Sequence, residues 1–508
     1  MEPENPELTK KFFHSTVLAW FRLIFVRGTS FVYLMIIARW LTKPEMGLIS
    51  LIAVGTGFIS GIMTPWIAWV LQQRVLIESD KEASWNISYQ LISYGFLFSF
   101  VFSPLLSFFY IISIRISIYS EPGILFILIT SLLCVFQLLM GLQRAFLKLE
   151  LNLLVSTAQA VLNSLMALLF YAVTKRVMSI VWAWLLSDLI IVLIILATSE
   201  LSSDISRYFL VKPSRKLIIF SIPVFFLFLF RTSRNFIDRY LILLFFGEEE
   251  LAVYHLVNRI AAMASEAILT LLIPFTPIMI KIGSTRPEKT QKALEGTIKM
   301  LVHFLVLVVP LLILSADLII DIVLGEKYIS HDASLILVFS SITLIFSTFN
   351  TLIIRFKGTK GSVYTMLIFA FIDLFIEIVL LFIFYLLEIL DNYQIVAVAF
   401  CITLSNCCSF IIMVIRTKEI HLISLKEISR MVFLFFSQIC VVVSFTYLVG
   451  PINLFEFLIL VLLAFISVFF LSAFIGVLSD YELNLISRAS KNRLNPIISV
   501  YRKLQLFS

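Results

Sequence analysis

Eleven ionisable side chains fall inside segments that otherwise read as bilayer-spanning helices: Arg22, Arg27, Asp188, Arg231, Arg234, Asp238, Arg239, Arg259, Glu266, Asp373 and Glu377. A charge at the centre of a transmembrane helix costs about 2.5–3.5 kcal/mol on insertion scales. All of them facing lipid would cost roughly 30 kcal/mol, more than a typical folding stability. They must therefore face one another or a wet cavity. The guanidinium group stays charged and forks onto phosphate oxygens in a bidentate way. Arg231, Arg234 and Asp238 follow i, i+3, i+7 spacing and share one helix face. One reading is a cavity for phosphate or sugar acids built on Arg27, Arg231 and Arg234, with Arg22 and Arg259 as further contacts. The other is structural pairing, Arg234 with Asp238 at i, i+4 and Arg259 with Glu266 two turns on. Arg22 and Arg239 lie nearer the interfaces, where long side chains snorkel. Six cations against five acids leave the lining mostly cationic, which favours an anionic cargo.

The acids carry their own alternatives. Near midplane a carboxylate without a partner can exchange a proton during transport. Asp373 and Glu377 share a face at i, i+4 and have no basic neighbour on their own helix. They are a proton or sodium site, or counter-ions to arginines on other helices. Glu266, Asp238 and Asp188 are the remaining candidates for ion coupling or charge balance.

The elements that must position these groups are helices in a membrane. The chain has 508 residues, 60% hydrophobic and 14% charged, where a soluble protein is nearer half apolar and a quarter charged. Fourteen spans are expected: 15–40, 47–71, 85–112, 120–142, 150–174, 178–198, 217–246, 251–279, 298–323, 333–354, 362–387, 394–415, 428–449 and 453–478. With the N-terminus inside, the inner loops and tails hold 27 basic residues, and the outer loops only Lys43, Arg115, Lys175, Arg176 and Lys327. That bias sets both termini in the cytoplasm. The net charge of +7 is accounted for by topology and implies no nucleic-acid partner. No cleavable signal peptide is expected, because the first apolar run is too long and too rich in arginine.

Residues Glu45–Leu48 between spans one and two parallel Glu250–Val253 between spans seven and eight. Thr64–Pro65 and Thr276–Pro277 close spans two and eight. This faint repeat predicts two parallel six-helix bundles with substrate near midplane between them. The expected organisation is a cytoplasmic N-terminus (1–14), an N-terminal bundle (15–198), a linker (199–216), a second bundle (217–415), two additional spans (416–478) and a cytoplasmic tail (479–508). Pro65, Pro104, Pro223, Pro274, Pro277 and Pro310 lie within spans as static kinks or hinges. The five cysteines lack CxxC spacing and read as buried thiols. There is no GxxxxGK[ST] loop, GxSxG or HExxH, so no ATPase of its own, no cofactor and no metal are expected.

The span junctions resemble a known family. Ala38-Arg39-Trp40-Leu41-Thr42-Lys43-Pro44-Glu45-Met46-Gly47, Gly141-Leu142-Gln143-Arg144, Asp238-Arg239-Tyr240 with Tyr254 and Arg259, Gly325-Glu326-Lys327-Tyr328 and Lys357-Gly358-Thr359-Lys360 are similar, in order and spacing, to the polysaccharide and O-antigen repeat-unit flippases. These belong to the multidrug/oligosaccharidyl-lipid/polysaccharide exporter superfamily. The similarity runs over about residues 10–480. Ala252 departs from it, standing where the family often has Gly. The resemblance implies an all-α fold of two six-helix bundles around a cavity that opens alternately to each side. It implies a lipid-linked oligosaccharide as cargo and partner polymerases or glycosyltransferases, and it allows exchange with a proton or sodium ion. Two other functions are weighed against it. A multidrug or organic-cation antiporter of the same superfamily would need net negative lining. A membrane glycosyltransferase or polymerase would need a sizeable outer loop, and none is expected.

Overall fold

A computed structural model describes residues 25–26, 28–77, 81–114, 116, 120–146, 149–198, 214–270, 287–359, 363–416, 425–449, 454–475 and 498–502. Every regular element among them is helical. After a helix over 28–40 (α1) come α2 Lys43–Met63, α3 Pro65–Ile77, α4 Lys81–Leu97, a π-helical turn Phe98–Phe102, α5 Ser103–Ser113, α6 Glu121–Ala145, α7 Leu149–Thr174 and α8 Met178–Thr198. There follow α9 Arg215–Phe246, α10 Glu248–Thr270, α11 Pro287–Leu314, α12 Ala316–Leu324, a 3₁₀ turn Glu326–Tyr328, α13 His331–Thr359, α14 Val363–Leu386, α15 Ile389–Arg416, α16 Leu425–Val449 and α17 Leu454–Ile475.

Eleven helices among the described residues are long and apolar enough to cross a membrane, and α16 carries a shorter apolar stretch, Phe433–Phe445. The all-helical, multi-pass class expected from the sequence is what is seen. The first expected span is described only from residue 25, and the Thr276–Pro277 pair, Pro274, the linker up to residue 213 and most of the tail lie outside the described residues. One detail differs. Thr64–Pro65, expected to close span two, sits inside it: α2 stops at Met63, α3 restarts at Pro65, and the apolar run continues from Lys43 to Val75. Proline is tolerated at a first helical position because its missing N–H has no intrahelical partner there.

The helix ends follow from local chemistry. Glu45 reaches back to accept the Thr42 amide and hydroxyl, both at 2.8 Å, and so caps α2. The short turn from α7 to α8 places Lys175 at φ 55°, held by its amide on the Tyr171 carbonyl at 2.8 Å. Gly325, at φ 93°, ends α12, a backbone region where a side chain would be strained. Tyr328 is fully buried just after it, and burial pushes its hydroxyl up to about 12.

The described residues divide into two compact units, those within 14–255 and 363–378 and those within 256–362 and 379–508. In the first, α3, α4, α6 and α9 share a core that includes Trp66, Ile67, Leu71, Ile92, Leu138, Leu139 and Val224. In lipid, such packing depends on close approach at small residues. A Cβ on Gly141 would lie 2.3 Å from Ala68 Cβ, and one on Gly61 would lie 2.9 Å from Thr232. In the second unit, α11, α13 and α16 contribute to one core. Buried polar ties join its helices: Gln438 Nε2 donates to the Ala464 carbonyl at 3.2 Å, Ser467 donates to Gln438 at 2.6 Å, and the Thr343 and Thr403 hydroxyls lie 2.9 Å apart.

Candidate functional site

The arginine-bearing helix α9 is set by its ends. Ser214 Oγ accepts from the Leu217 amide at 3.3 Å, and Gly247 at φ 91° stops the helix after its 32 residues. Arg231, Arg234 and Asp238 lie on this helix, within the first unit. The part of α14 that bears Asp373 and Glu377 belongs to the same unit. Phe230 packs on Phe371 at 5.5 Å between ring centroids, which brings α9 and α14 together one turn before the charges.

There Arg234 forks between two carboxylates. Its Nε donates to Glu377 Oε2 at 3.1 Å and its Nη1 to Asp373 Oδ2 at 3.2 Å. The side chains are nearly closed off, at 15% exposure for Arg234, 5% for Asp373 and 2% for Glu377. Arg234 Nη2 and Glu377 Oε1 are buried with no hydrogen-bond partner among the described residues. Arg231 lies within electrostatic reach of Asp373 and Arg234. A charge-assisted fork of this kind is strong where water is excluded.

The alternative pairing of Arg234 with Asp238 does not form. Asp238 Oδ2 is taken by the Tyr254 hydroxyl at 2.8 Å and Oδ1 by the Arg239 amide at 2.8 Å. Arg239 in turn donates from Nη1 to the Asn235 carbonyl at 2.8 Å. The tyrosine of α10 therefore satisfies the acid and leaves Arg234 to reach across to α14. Arg259 and Glu266 do meet along α10, at 3.7 Å, and both are about a third exposed. They belong to the second unit. Arg22 and Arg27 lie outside the described residues.

The expected excess of cations rests on Arg22 and Arg27, which are outside the described residues. Arg231, Arg234 and Arg239 are matched in number by Asp238, Asp373 and Glu377, so the described part of the site is balanced. The reason is tertiary: α14 brings two acids to the helix that carries the arginines.

Asp188, on α8, sits in a different setting within the first unit. It is 3% exposed, and its Oδ1 accepts from Gln159 Nε2 at 2.7 Å and Asn163 Nδ2 at 3.4 Å, both on α7. Ser187 donates to Asn163. No cationic side chain faces Asp188 among the described residues. Gln159, Asn163, Ser187 and the Tyr254 contact were missed as site residues by sequence reasoning. The signal available was two amides spaced i, i+4 within an apolar span. Among the described residues no group of three or more acids, histidines or cysteines could hold a metal ion.

Residues 36–332, more than half of the chain, match the sequence model of a family described as polysaccharide biosynthesis protein. No curated protein matches the sequence significantly. Among solved structures, the lipid II flippase MurJ in an inward closed conformation is 15% identical, with a TM-score of 0.65 over 92% of this chain and 98% of that one. An inward-facing multidrug resistance transporter of the MATE family, in the MOP superfamily, is 16% identical, with a TM-score of 0.57 over 80% of this chain and 93% of that one. A MOP superfamily transporter from Pyrococcus furiosus, with a binding pocket of reversed polarity, is 16% identical with a TM-score of 0.58 over 80% and 95%. At these identities the likeness is one of fold.

Proposed function

The chain belongs to the polysaccharide biosynthesis protein family, and from that premise we propose that it is a flippase. It carries a polyprenyl-(di)phosphate-linked oligosaccharide across the cytoplasmic membrane by alternating access, with both termini on the cytoplasmic side. The expected bundles, 15–198 and 217–415, with the added spans 416–478, are the parts that would move. A phosphate headgroup cannot cross about 30 Å of hydrocarbon without something to replace its water.

The observation that carries this reading is the fork of Arg234 between Asp373 and Glu377, with the Nη2 nitrogen and its two N–H groups without a partner among the described residues. A cargo phosphate entering from that side competes with the two carboxylates for one guanidinium. When phosphate wins, the acids lose their cation and need another, a proton or a sodium ion. When the acids recover Arg234, the cargo is released. Arg231 adds charge beside the fork, and Arg27, Arg22 and Arg259 are further cargo contacts. Asp188, held by amides alone, is a second place for a coupling ion, while Asp238 and Glu266 balance charge locally. Polymerases and glycosyltransferases that make and consume the glycan lipid are the expected partners.

The test is translocation in proteoliposomes of a fluorescent polyprenyl-diphosphate oligosaccharide, beside a fluorescent organic cation. Movement of the glycan lipid alone is expected. Movement of the cation alone would replace this reading with that of a drug antiporter.

A further inference from the structure

The walls of the first unit contain a second feature that the arginine site does not use. A cavity of about 360 Å³ lies between α3, α4 and the first half of α9, lined by Trp66, Leu91, Phe98, Leu217, Ser221 and Phe225, among others. Its size falls in the range of ordinary ligand pockets. Its α9 wall runs from Leu217 to Phe226, a length of about 14 Å at the α-helical rise. The slot therefore lies along the helix axes, as a lipid chain lies in a bilayer. On its outer side Ile218, Ile222 and Phe226 are 37%, 49% and 41% exposed, so it opens sideways towards hydrocarbon.

Both walls are irregular there. Pro223 interrupts α9 beside Ser221 and Ile222, removing one backbone hydrogen bond and crowding the carbonyl four residues earlier. On the opposite wall the π-helical turn begins at Phe98, where the Ser103 amide donates to the Phe98 carbonyl ahead of Pro104. Such turns widen a helix locally.

The slot is lined almost wholly by apolar surface, and polar groups stand beside it. Trp66 is 5% exposed, and its Nε1 donor has no hydrogen-bond partner among the described residues. Towards the other end of α3, Arg74 lays its guanidinium over the Phe220 ring at 4.0 Å, and its Nε is likewise buried without a partner. Arg215 is exposed on the first turn of α9, next to Leu217 in the wall. Two arginines thus stand at the end of the slot that the basic loops assign to the cytoplasmic leaflet.

We propose that this slot binds an anionic membrane phospholipid, with one acyl chain between α3, α4 and α9 and its phosphate at Arg74 and Arg215. Charge complementarity selects the headgroup, because anionic lipids are drawn to basic residues at the cytoplasmic surface. The open side selects the source: a slot facing bulk lipid fills by mass action with an abundant lipid before a scarce one. Bound there, the lipid braces the half of α9 that precedes Arg231 and Arg234. The proposal does not depend on which cargo is carried.

Lipid retention by the purified full chain in detergent, read by native mass spectrometry, tests it without any transport assay. Phosphatidylglycerol should be retained several-fold over phosphatidylcholine. Arg74→Gln should cut that preference about fivefold, the effect of one basic residue near an anionic surface. Ser221→Trp, which fills the slot, should abolish retention of both lipids; Ile222→Trp, at the exposed rim, does the same should the first variant fail to fold. Equal retention of the two lipids by the wild type, or preference unchanged in Arg74→Gln, would overturn the proposal. So would displacement of phosphatidylglycerol by an equal amount of polyprenyl phosphate, which would make the slot a seat for the cargo lipid.

Discussion

Two buried acid clusters in the same unit solve one problem differently. At α9 and α14, Asp373 and Glu377 are compensated by a full positive charge, the Arg234 guanidinium. At α7 and α8, Asp188 is compensated only by dipoles, the side-chain amides of Gln159 and Asn163. Burial is alike, at 4%, 1% and 3% exposure for Asp373, Glu377 and Asp188. A fork of opposite charges is hard to dismantle unless a competing anion enters. An acid among amides can gain or lose a positive ion with little rearrangement, since amides turn to serve either state. On the proposed reading the first cluster exchanges Arg234 for a small cation when cargo arrives, and the second offers a seat for an ion alone.

The sharpest way to break this contrast is to remove the cation. Arg234→Ala leaves two buried acids without it and should lower stability by about 3–5 kcal/mol; the melting temperature in detergent reads this. A change below 1 kcal/mol would mean that the acids are already neutral or otherwise held. Arg234→Lys should keep most of the stability but little of the transport, because an ammonium lacks the fork.

Smaller effects sharpen the comparison. Glu377→Gln breaks one arm of the fork and should cost about 1–3 kcal/mol, measured in the same melts. Gly141→Ala is a control away from both clusters: the new Cβ would meet the Ala68 Cβ at 2.3 Å and Cα at 2.9 Å, for about 1–3 kcal/mol of overpacking with cargo selectivity unchanged. The smallest stability effect belongs to Asp188→Asn, under about 1 kcal/mol, since the amides can turn to bind a neutral partner. Its signature is functional: translocation should lose its dependence on a proton or sodium gradient. Gradient dependence retained in Asp188→Asn would remove Asp188 from ion coupling and leave it to Asp373 and Glu377 alone.

How much of this was legible in the sequence depends on the residue. Charges in apolar helices announce themselves by their cost, so Arg234, Asp373, Glu377 and Asp188 stood out. Their partners were legible only as open alternatives: Asp373 and Glu377 could serve arginines on other helices, with no arginine singled out. Helical spacing offers Arg234 the nearby Asp238, whereas the fold supplies acids 139 and 143 residues away. That choice is made by α9 packing on α14 and by Tyr254 satisfying Asp238, and neither leaves a local pattern. Gln159 and Asn163 were passed over because neutral amides are cheap in a span. Several residues behind the family resemblance prove to be structural in this chain: Glu45 caps α2, Gly141 admits Ala68, and a Cβ on Gly47 would lie 2.6 Å from the Glu248 carbonyl oxygen. Such positions mark the fold through capping and close packing.

The central claim is that Arg234 serves the cargo as well as the acids. It is tested most directly with a variant in which the fork is replaced by neutral groups, Arg234→Met with Asp373→Asn and Glu377→Gln, because exchanging a whole buried charge group for neutral side chains is often close to stability-neutral. Translocation of the fluorescent polyprenyl-diphosphate oligosaccharide is then measured in proteoliposomes beside the wild type. The account predicts a protein that melts near the wild-type temperature and moves no glycan lipid. Wild-type translocation by the folded triple variant would contradict it and reduce the fork to a structural tie.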